Sequence, residues 1–262
     1  MCHDLHVRLG DKRRSESSQR NMIDPIGEIT DVEDLMKVLT SSGGSDNQWY
    51  RGHTDTAWHL LPSLARRREW IESEILLLKK FKQNAIPRLV GPPTGEWEWL
   101  FLAQHHGLPT RLLDWSENPL IGLYFACESD QDADGRFWIL RPNDLNEKSS
   151  PGSPGILLFG QDKLLDTYLP EQAATPVPTQ QPVAAVAARS FGRIVAQSGT
   201  FTICHRSFEP LENVHSGSCL ESYAVPLARK AFIREQLKTL GINSMTVYPD
   251  LSHLAEYVRS EF

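Results

Sequence analysis

The chain has few cysteines. Its four (Cys2, Cys127, Cys204 and Cys219) stand far apart, with no Cys-x-x-Cys pair. That spacing supports neither a disulfide framework nor a zinc knuckle. No apolar run approaches the roughly 18–20 residues needed to cross a bilayer. The start, Met1-Cys2-His3-Asp4-Leu5-His6, lacks the basic stretch and apolar core of a secretory signal. The expectation is a cytoplasmic protein with no membrane partner. A basic excess is missing as well. The 27 Lys+Arg against 33 Asp+Glu leave a formal charge of −6, which argues against a non-specific nucleic-acid coat but leaves room for a local basic groove. The basic clusters Lys12-Arg13-Arg14 and Arg66-Arg67-Arg68 read as solvated surface. Walker-type, Gly-x-Gly-x-x-Gly, Gly-x-Ser-x-Gly and His-Glu-x-x-His motifs are all absent. Their absence removes P-loop NTPases, typical dinucleotide dehydrogenases, α/β-hydrolases and zincins. What is present is ordinary: 262 residues, 40% hydrophobic and 23% charged, which excludes collagen-like, wholly disordered and coiled-coil readings.

Residues 1–25 are polar and aperiodic and read as a flexible N-terminal arm, leaving 26–262 as a single domain. Thr30-x-x-Glu33 is a capping-box pattern ahead of Val32, Leu35, Met36 and Leu39 at helical spacing. Trp49-Tyr50-Arg51 reads as a short strand closed by Gly52. Ile71, Ile75, Leu78 and Phe81 predict a helix over 70–83, and a second runs from about Glu96 to His106, capped by Gly107. Leu108 to Trp115 is irregular or extended. Asn118-Pro119 opens an apolar, buried helix through Cys127, and 135–140 reads as a buried strand. Prolines crowd residues 149–184, which read as a Pro-rich insertion, a long loop in part disordered. Arg193 to Gln197, Ser198-Gly199 and Thr200 to Ile203 predict strand, tight turn and strand. A helix follows from about Ala228 to Leu240, then a short strand over Met245 to Tyr248. Asp250 caps a last helix whose Leu251, Leu254, Ala255 and Val258 face inward. Strands and helices do not alternate strictly, so the fold class is α+β: one domain with a mixed or antiparallel sheet flanked by helices, not a doubly wound parallel sheet.

Four segments are richer in polar detail than folding requires. In Trp49-Tyr50-Arg51-Gly52-His53, a strand-end arginine precedes a glycine that permits close backbone approach, and its planar fork suits paired phosphate oxygens. Gln104-His105-His106-Gly107-Leu108-Pro109-Thr110-Arg111-Leu112-Leu113-Asp114-Trp115 offers histidines as general bases and an Asp114 that could orient one or pair with Arg111. No second His, Cys or carboxylate set lies at ligand spacing, so no metal site is expected. Arg193 and Gln197 share a face if they share a strand. Lys230 and Arg234, one helical turn apart, read as a solvated stripe.

Tyr50-Arg51-Gly52, Ala103-Gln104-His105-His106-Gly107-Leu108-Pro109-Thr110-Arg111-Leu112-Leu113-Asp114-Trp115 and the run from Asn118-Pro119-Leu120 to Phe125-Ala126 resemble the FRG domain family, named for its (Phe/Tyr)-Arg-Gly motif. Arg193 to Phe201 and Gly241 to Leu251 resemble its later blocks, so the likeness spans about residues 30–262. The order of motifs is similar to that of mono-ADP-ribosyltransferases. The resemblance implies an ADP-ribosyltransferase-like split sheet, with NAD as substrate, and a toxin or anti-phage defence effector acting on a protein or nucleic-acid target and held by a neutralising partner protein. It implies catalytic roles for Arg51, His105, His106, Asp114 and Gln197. Cofactor contacts fall to Tyr50, Arg51, Gly52, Thr110, Arg111, Trp115 and Phe201, with Tyr124 a further candidate for an aromatic wall. Gln197 departs from the family pattern, standing where a transferase prefers glutamate. Two other readings stay open: a metal-independent nuclease using His105 or His106 with Arg51, Arg111 and Asp114, and a non-catalytic module that senses a nucleotide or a partner.

Overall fold

Apolar spacing of period 3.6 and period 2 becomes helices and strands in the following order. Helix α1 (Val32–Ser41) precedes strand β1 (Trp49–His53); α2 (Arg68–Ala85) and α3 (Glu96–His105) lead to β2 (Leu112–Ser116), α4 (Pro119–Cys127) and β3 (Gly135–Leu140). Then come α5 (Pro142–Ser149), β4 (Leu157–Leu158), α6 (Lys163–Asp166), α7 (Pro170–Ala173) and β5 (Val183–Val186). The chain continues through α8 (Gly192–Ala196), β6 (Gly199–Ile203), β7 (Leu220–Val225), α9 (Leu227–Thr239), α10 (Ser244–Val247) and α11 (Leu251–Arg259). This is a computed structural model, and it describes residues 23–41, 47–128, 132–152, 155–175, 178–188 and 192–259. Most of the expected N-terminal arm lies outside the described residues.

Among the described residues the strands form one seven-stranded sheet in the order β4-β5-β6-β2-β1-β3-β7. All its pairings are antiparallel except β4 with β5. The fold is therefore α+β, a single mixed sheet flanked by helices. Its central seam is incomplete. β1 pairs with β3 along its length, from Trp49↔Leu140 to His53↔Arg136, and β2 pairs with β6 from Leu112↔Ile203 to Ser116↔Gly199. Between them β1 and β2 meet only at Tyr50↔Ser116. The sheet is thus two halves hinged at one residue pair, and the strands part beyond it.

Two glycines fix one face of that seam. A Cβ on Gly52 would stand 2.2 Å from the Ala126 nitrogen and 2.2 Å from the Gly122 oxygen, so helix α4 lies with its backbone directly on β1. A Cβ on Gly122 would in turn meet Tyr50 Cβ at 2.8 Å and Phe137 at 2.9 Å. Gly52 thus sits within the strand rather than closing it, because the close helix needs the missing side chain. Asn118 Oδ1 accepts the Leu120 N–H and Pro119 opens α4, the start read from the sequence. On that face Tyr50, Leu123, Ala126, Phe137, Val225 and Ile233 form one core; on the other, Trp49, Leu113, Trp115, Trp138 and Leu140 form a second.

Several expectations change. The α1 cap sits one residue later than Thr30: Asp31 Oδ1 accepts the Asp34 N–H, while Thr30 donates through its N–H and hydroxyl to Asp34. The expected Pro-rich loop carries α6, α7, β4 and β5, and its Leu157, Phe159, Leu165 and Tyr168 join a core with Phe101 and Phe201. Pro170 opens α7 at its first position, a use that looks like disorder in composition alone. Residues 192–196 are helical, so Arg193 and Gln197 do not share a strand. Met245 to Tyr248 is likewise not a strand: Ser244–Val247 is one helical turn, capped by Asn243. Asp250 does receive the His253 N–H, but Leu251, Leu254, Ala255 and Val258 are exposed rather than inward. Lys230 is buried and donates to the Thr54 carbonyl at 2.7 Å, and Arg234 donates to the Cys127 carbonyl, so these cations tie α9 to the ends of β1 and α4.

Two substitutions test this packing. Gly52→Ala forces α4 off β1 and is expected to lower unfolding free energy by about 3 kcal/mol or more in denaturant titration. Phe159→Ala removes a ring 4.6 Å from Trp97 and 5.2 Å from Phe101, with an expected loss of about 3–5 kcal/mol. A loss below about 1 kcal/mol at Phe159 would mean the 155–175 segment is peripheral after all.

Candidate functional site

Where β1 and β2 part, the surface opens into two adjoining recesses of about 560 and 570 Å³, open solvent included, which share Asp114, Trp115 and Gln197. One is lined by Tyr50, Arg51, Gly52, Ser116 and Phe125, the other by Phe101, Gln104, His105, Ile194, Gly199 and Phe201. Together they form one cleft along the seam.

Arg51 takes the place of the absent ladder. Its Nη1 donates to the Asp114 carbonyl across the gap at 2.5 Å, and its Nε donates to His53 Nε2 at 3.1 Å. Nη2 makes no hydrogen bond among the described residues, and the side chain lines the cleft, so donors remain for an acceptor bound there. Burial pulls the guanidinium down to about 10, Asp114 opposing and Arg66 adding to the fall, so it stays cationic at neutral pH. His53 is buried. Desolvation first, then the Arg51 charge, holds its imidazole well below the ordinary value despite the opposing Trp58 backbone, so it is neutral.

Asp114 projects into the cleft from β2 and is exposed. Gln104 Nε2 donates to its Oδ1 at 2.6 Å, and Gln104 Oε1 accepts from the Thr110 hydroxyl. Thr110 thereby fixes which way the amide faces, and with it Asp114. Ser116 holds the Gln197 main chain instead: its hydroxyl donates to the Gln197 backbone carbonyl at 2.6 Å and accepts the Asn118 N–H. The Gln197 amide nitrogen donates to the Val247 carbonyl at 3.2 Å, so the turn before β6 is fastened to α10. Phe101 and Phe201 stack at 5.2 Å with a 22° interplanar angle and give the second recess a flat apolar wall.

The site residues read from the sequence divide accordingly. Tyr50, Arg51, Gly52, His105, Asp114, Trp115, Gln197 and Phe201 line the cleft. Trp115 does so while almost wholly buried, its indole N–H donating to Thr202 Oγ1. Tyr124 is buried in the core under β1, His106 is exposed beside Phe81, and Thr110 is buried behind Gln104. Arg111 also lies elsewhere. It forms a buried bidentate pair with Glu74, its Nε 2.7 Å from Oε1, and donates to the Cys204 and His205 carbonyls. That pair floors a separate, wider recess of about 1030 Å³ between α2 and residues 170–175. Asp114 is thus neither buried nor paired with Arg111. Glu74, on the buried face of α2, takes the arginine instead. Gln104 and Ser116 escaped sequence reasoning, although a lone amide in the apolar α3 was a usable signal.

Residues 46–135, the stretch that carries β1, α2, α3, β2 and α4, match the family model of the FRG domain. No curated protein and no solved structure matches the chain.

Arg111→Ala leaves Glu74 buried without its partner and is expected to cost about 3–5 kcal/mol in thermal or chemical unfolding. Asp114→Ala removes one solvent-facing acceptor and is expected to cost no more than about 1.5 kcal/mol. The reverse order of losses would contradict the division made here between a structural arginine and a cleft carboxyl.

Proposed function

We propose that the chain is an NAD-using, mono-ADP-ribosyltransferase-like enzyme, a toxin or anti-phage defence effector that modifies a protein or nucleic-acid target. The observation that carries this reading is Arg51 in the split of the sheet, with free donors facing a cleft that also holds Asp114 and Gln197. Such a split with the arginine of the first strand inside it is what the motif resemblance implies. The linear order supports the reading too: the arginine strand comes first, then the strand ending in Ser116 and running into the apolar α4, then Gln197 at the entry to β6.

The residues fit NAD in chemical kind. Arg51 would grip the pyrophosphate through two N–H groups of one fork. The Phe101–Phe201 wall would take a flat ring. Loss of nicotinamide leaves positive charge on the ribose, which a nearby carboxylate stabilises in a partly desolvated site. Gln197 is neutral and supplies no such charge. Asp114 lines both recesses and is the carboxyl side chain in their walls, so it takes the electrostatic role. Gln104 keeps it oriented without neutralising it. His105 at the second recess stands where a proton from the target's attacking group could be received.

The test is mass spectrometry for free nicotinamide and ADP-ribosyl adducts after incubating the protein with NAD and cell lysate. Turnover is expected in the parent and lost in Arg51→Gln. Asp114→Asn keeps the Gln104 hydrogen bond and should still lower the rate by on the order of 10²-fold. Gln197→Glu places a second carboxylate in the cleft and should raise bare NAD hydrolysis. Nucleic-acid cleavage without NAD would favour a nuclease, and tight nucleotide binding without turnover a sensing module.

A further inference from the structure

Arg51 reaches its place through two acceptors, and only one of them is a backbone atom. The Asp114 carbonyl is fixed by β2. The other acceptor is His53 Nε2, two residues along the same strand and on the same face. The guanidinium Nε is an obligate donor. His53 Nε2 must therefore be bare, which puts the single imidazole proton on Nδ1. We infer that His53 is the positioning residue of the cleft, holding Arg51 so that its remaining N–H groups face a bound anion and failing to do so once it takes a second proton. The inference rests on the proposed role of Arg51 in gripping the pyrophosphate.

Burial and the charges packed around His53 favour a neutral ring, with the Trp58 backbone opposing them. Arg51 lies beside it on β1, and Arg136 stands opposite it on β3. Arg66, in the turn over 63–66 that precedes α2, adds a third positive charge. Trp138 and Trp58 close it in, with ring centroids 6.4 and 6.1 Å away. No carboxylate is among these neighbours. Asp114 faces Arg51 instead, and Glu212, which accepts from His59 and the Leu60 N–H, offsets Arg136. Protonating His53 therefore sets a cation against Arg51 and removes the acceptor for Nε in one step. Cleft affinity for an anion falls in acid even though the ligand's own pyrophosphate keeps its charge.

The experiment is calorimetric titration of ADP-ribose, from neutral pH into acid, with the parent, His53→Gln and His53→Leu. The glutamine carbonyl can replace Nε2 as an uncharged, non-titrating acceptor; leucine cannot. The parent is expected to bind at neutral pH and to weaken about tenfold or more in acid. His53→Gln should bind within about threefold of the parent at neutral pH and lose the acid dependence. His53→Leu, if it melts as the parent does, should be weaker by about tenfold or more throughout. If His53→Leu does not fold, the glutamine variant decides. Parent-like binding by the leucine variant, or the same acid loss in the glutamine variant, overturns the inference. A parent that binds no ADP-ribose counts against the functional reading. His53 is then judged in the protein alone, by nitrogen NMR of its ring: a bare Nε2 supports the clamp, and a protonated Nε2 at neutral pH sinks it.

Discussion

A single side chain closes a gap that backbone hydrogen bonds leave open. Strands β1 and β2 pair at Tyr50↔Ser116 and then separate, and the Arg51 guanidinium spans the opening to the Asp114 carbonyl. A ladder in that place would have satisfied the backbone and sealed the sheet. An arginine there satisfies one carbonyl and leaves donors over, and those spare donors make the opening chemically useful. The geometry depends on helix α4 lying against the other face of β1, which only glycine at positions 52 and 122 permits. Arginine and glycine are therefore adjacent for one reason: the glycine admits the helix that holds the strand from which the arginine reaches into the split.

The cations near the cleft divide into two sets by what answers their charge. Arg111 meets Glu74 in a buried bidentate pair, Lys230 caps the Thr54 carbonyl, and Arg234 caps the Cys127 carbonyl. Each binds one element to another, and none lines the cleft. Arg51 has no carboxylate bonded to it among the described residues, only a carbonyl and a neutral imidazole. A half-buried guanidinium so weakly answered retains most of its field for a ligand, and the same environment lowers its proton affinity. Hydroxyls behind the cleft also order it: Thr110 orients the Gln104 side-chain amide, and Ser116 holds the Gln197 backbone carbonyl.

Much of the fold was legible because its signals are local. Asn118-Pro119 announced α4, the Ile71–Ile75–Leu78–Phe81 stripe announced α2, and Gly107 marked the end of α3 with a positive φ. Tertiary context decided the failures. Strand β7 is an edge strand of mixed polarity whose pairing with β3 no local pattern reveals. The proline-rich stretch at 151–182 resembled disorder because composition does not show that Phe159 and Tyr168 find a core. Residues 193–196 carry the β-branched pair Ile194-Val195 and read as a strand yet belong to α8. In the site, Arg51, Asp114 and Gln197 were legible from motif and residue type, and the structure does gather them. The Arg111–Glu74 pair was not, because its two members lie 37 positions apart. Adjacency in the Thr110–Asp114 block suggested that Arg111 and Asp114 work together, whereas alternation along the strand turns them toward different partners.

The central claim is that Arg51 in the split of the sheet is the anion grip of the cleft. A crystal structure of the protein with ADP-ribose tests it most directly. The account predicts the pyrophosphate within hydrogen-bonding distance of the Arg51 Nη atoms, its ring system against Phe101 and Phe201, and the hydrogen bond from Arg51 Nε to His53 retained. ADP-ribose bound instead in the recess over the Arg111–Glu74 pair, with Arg51 untouched, would contradict it.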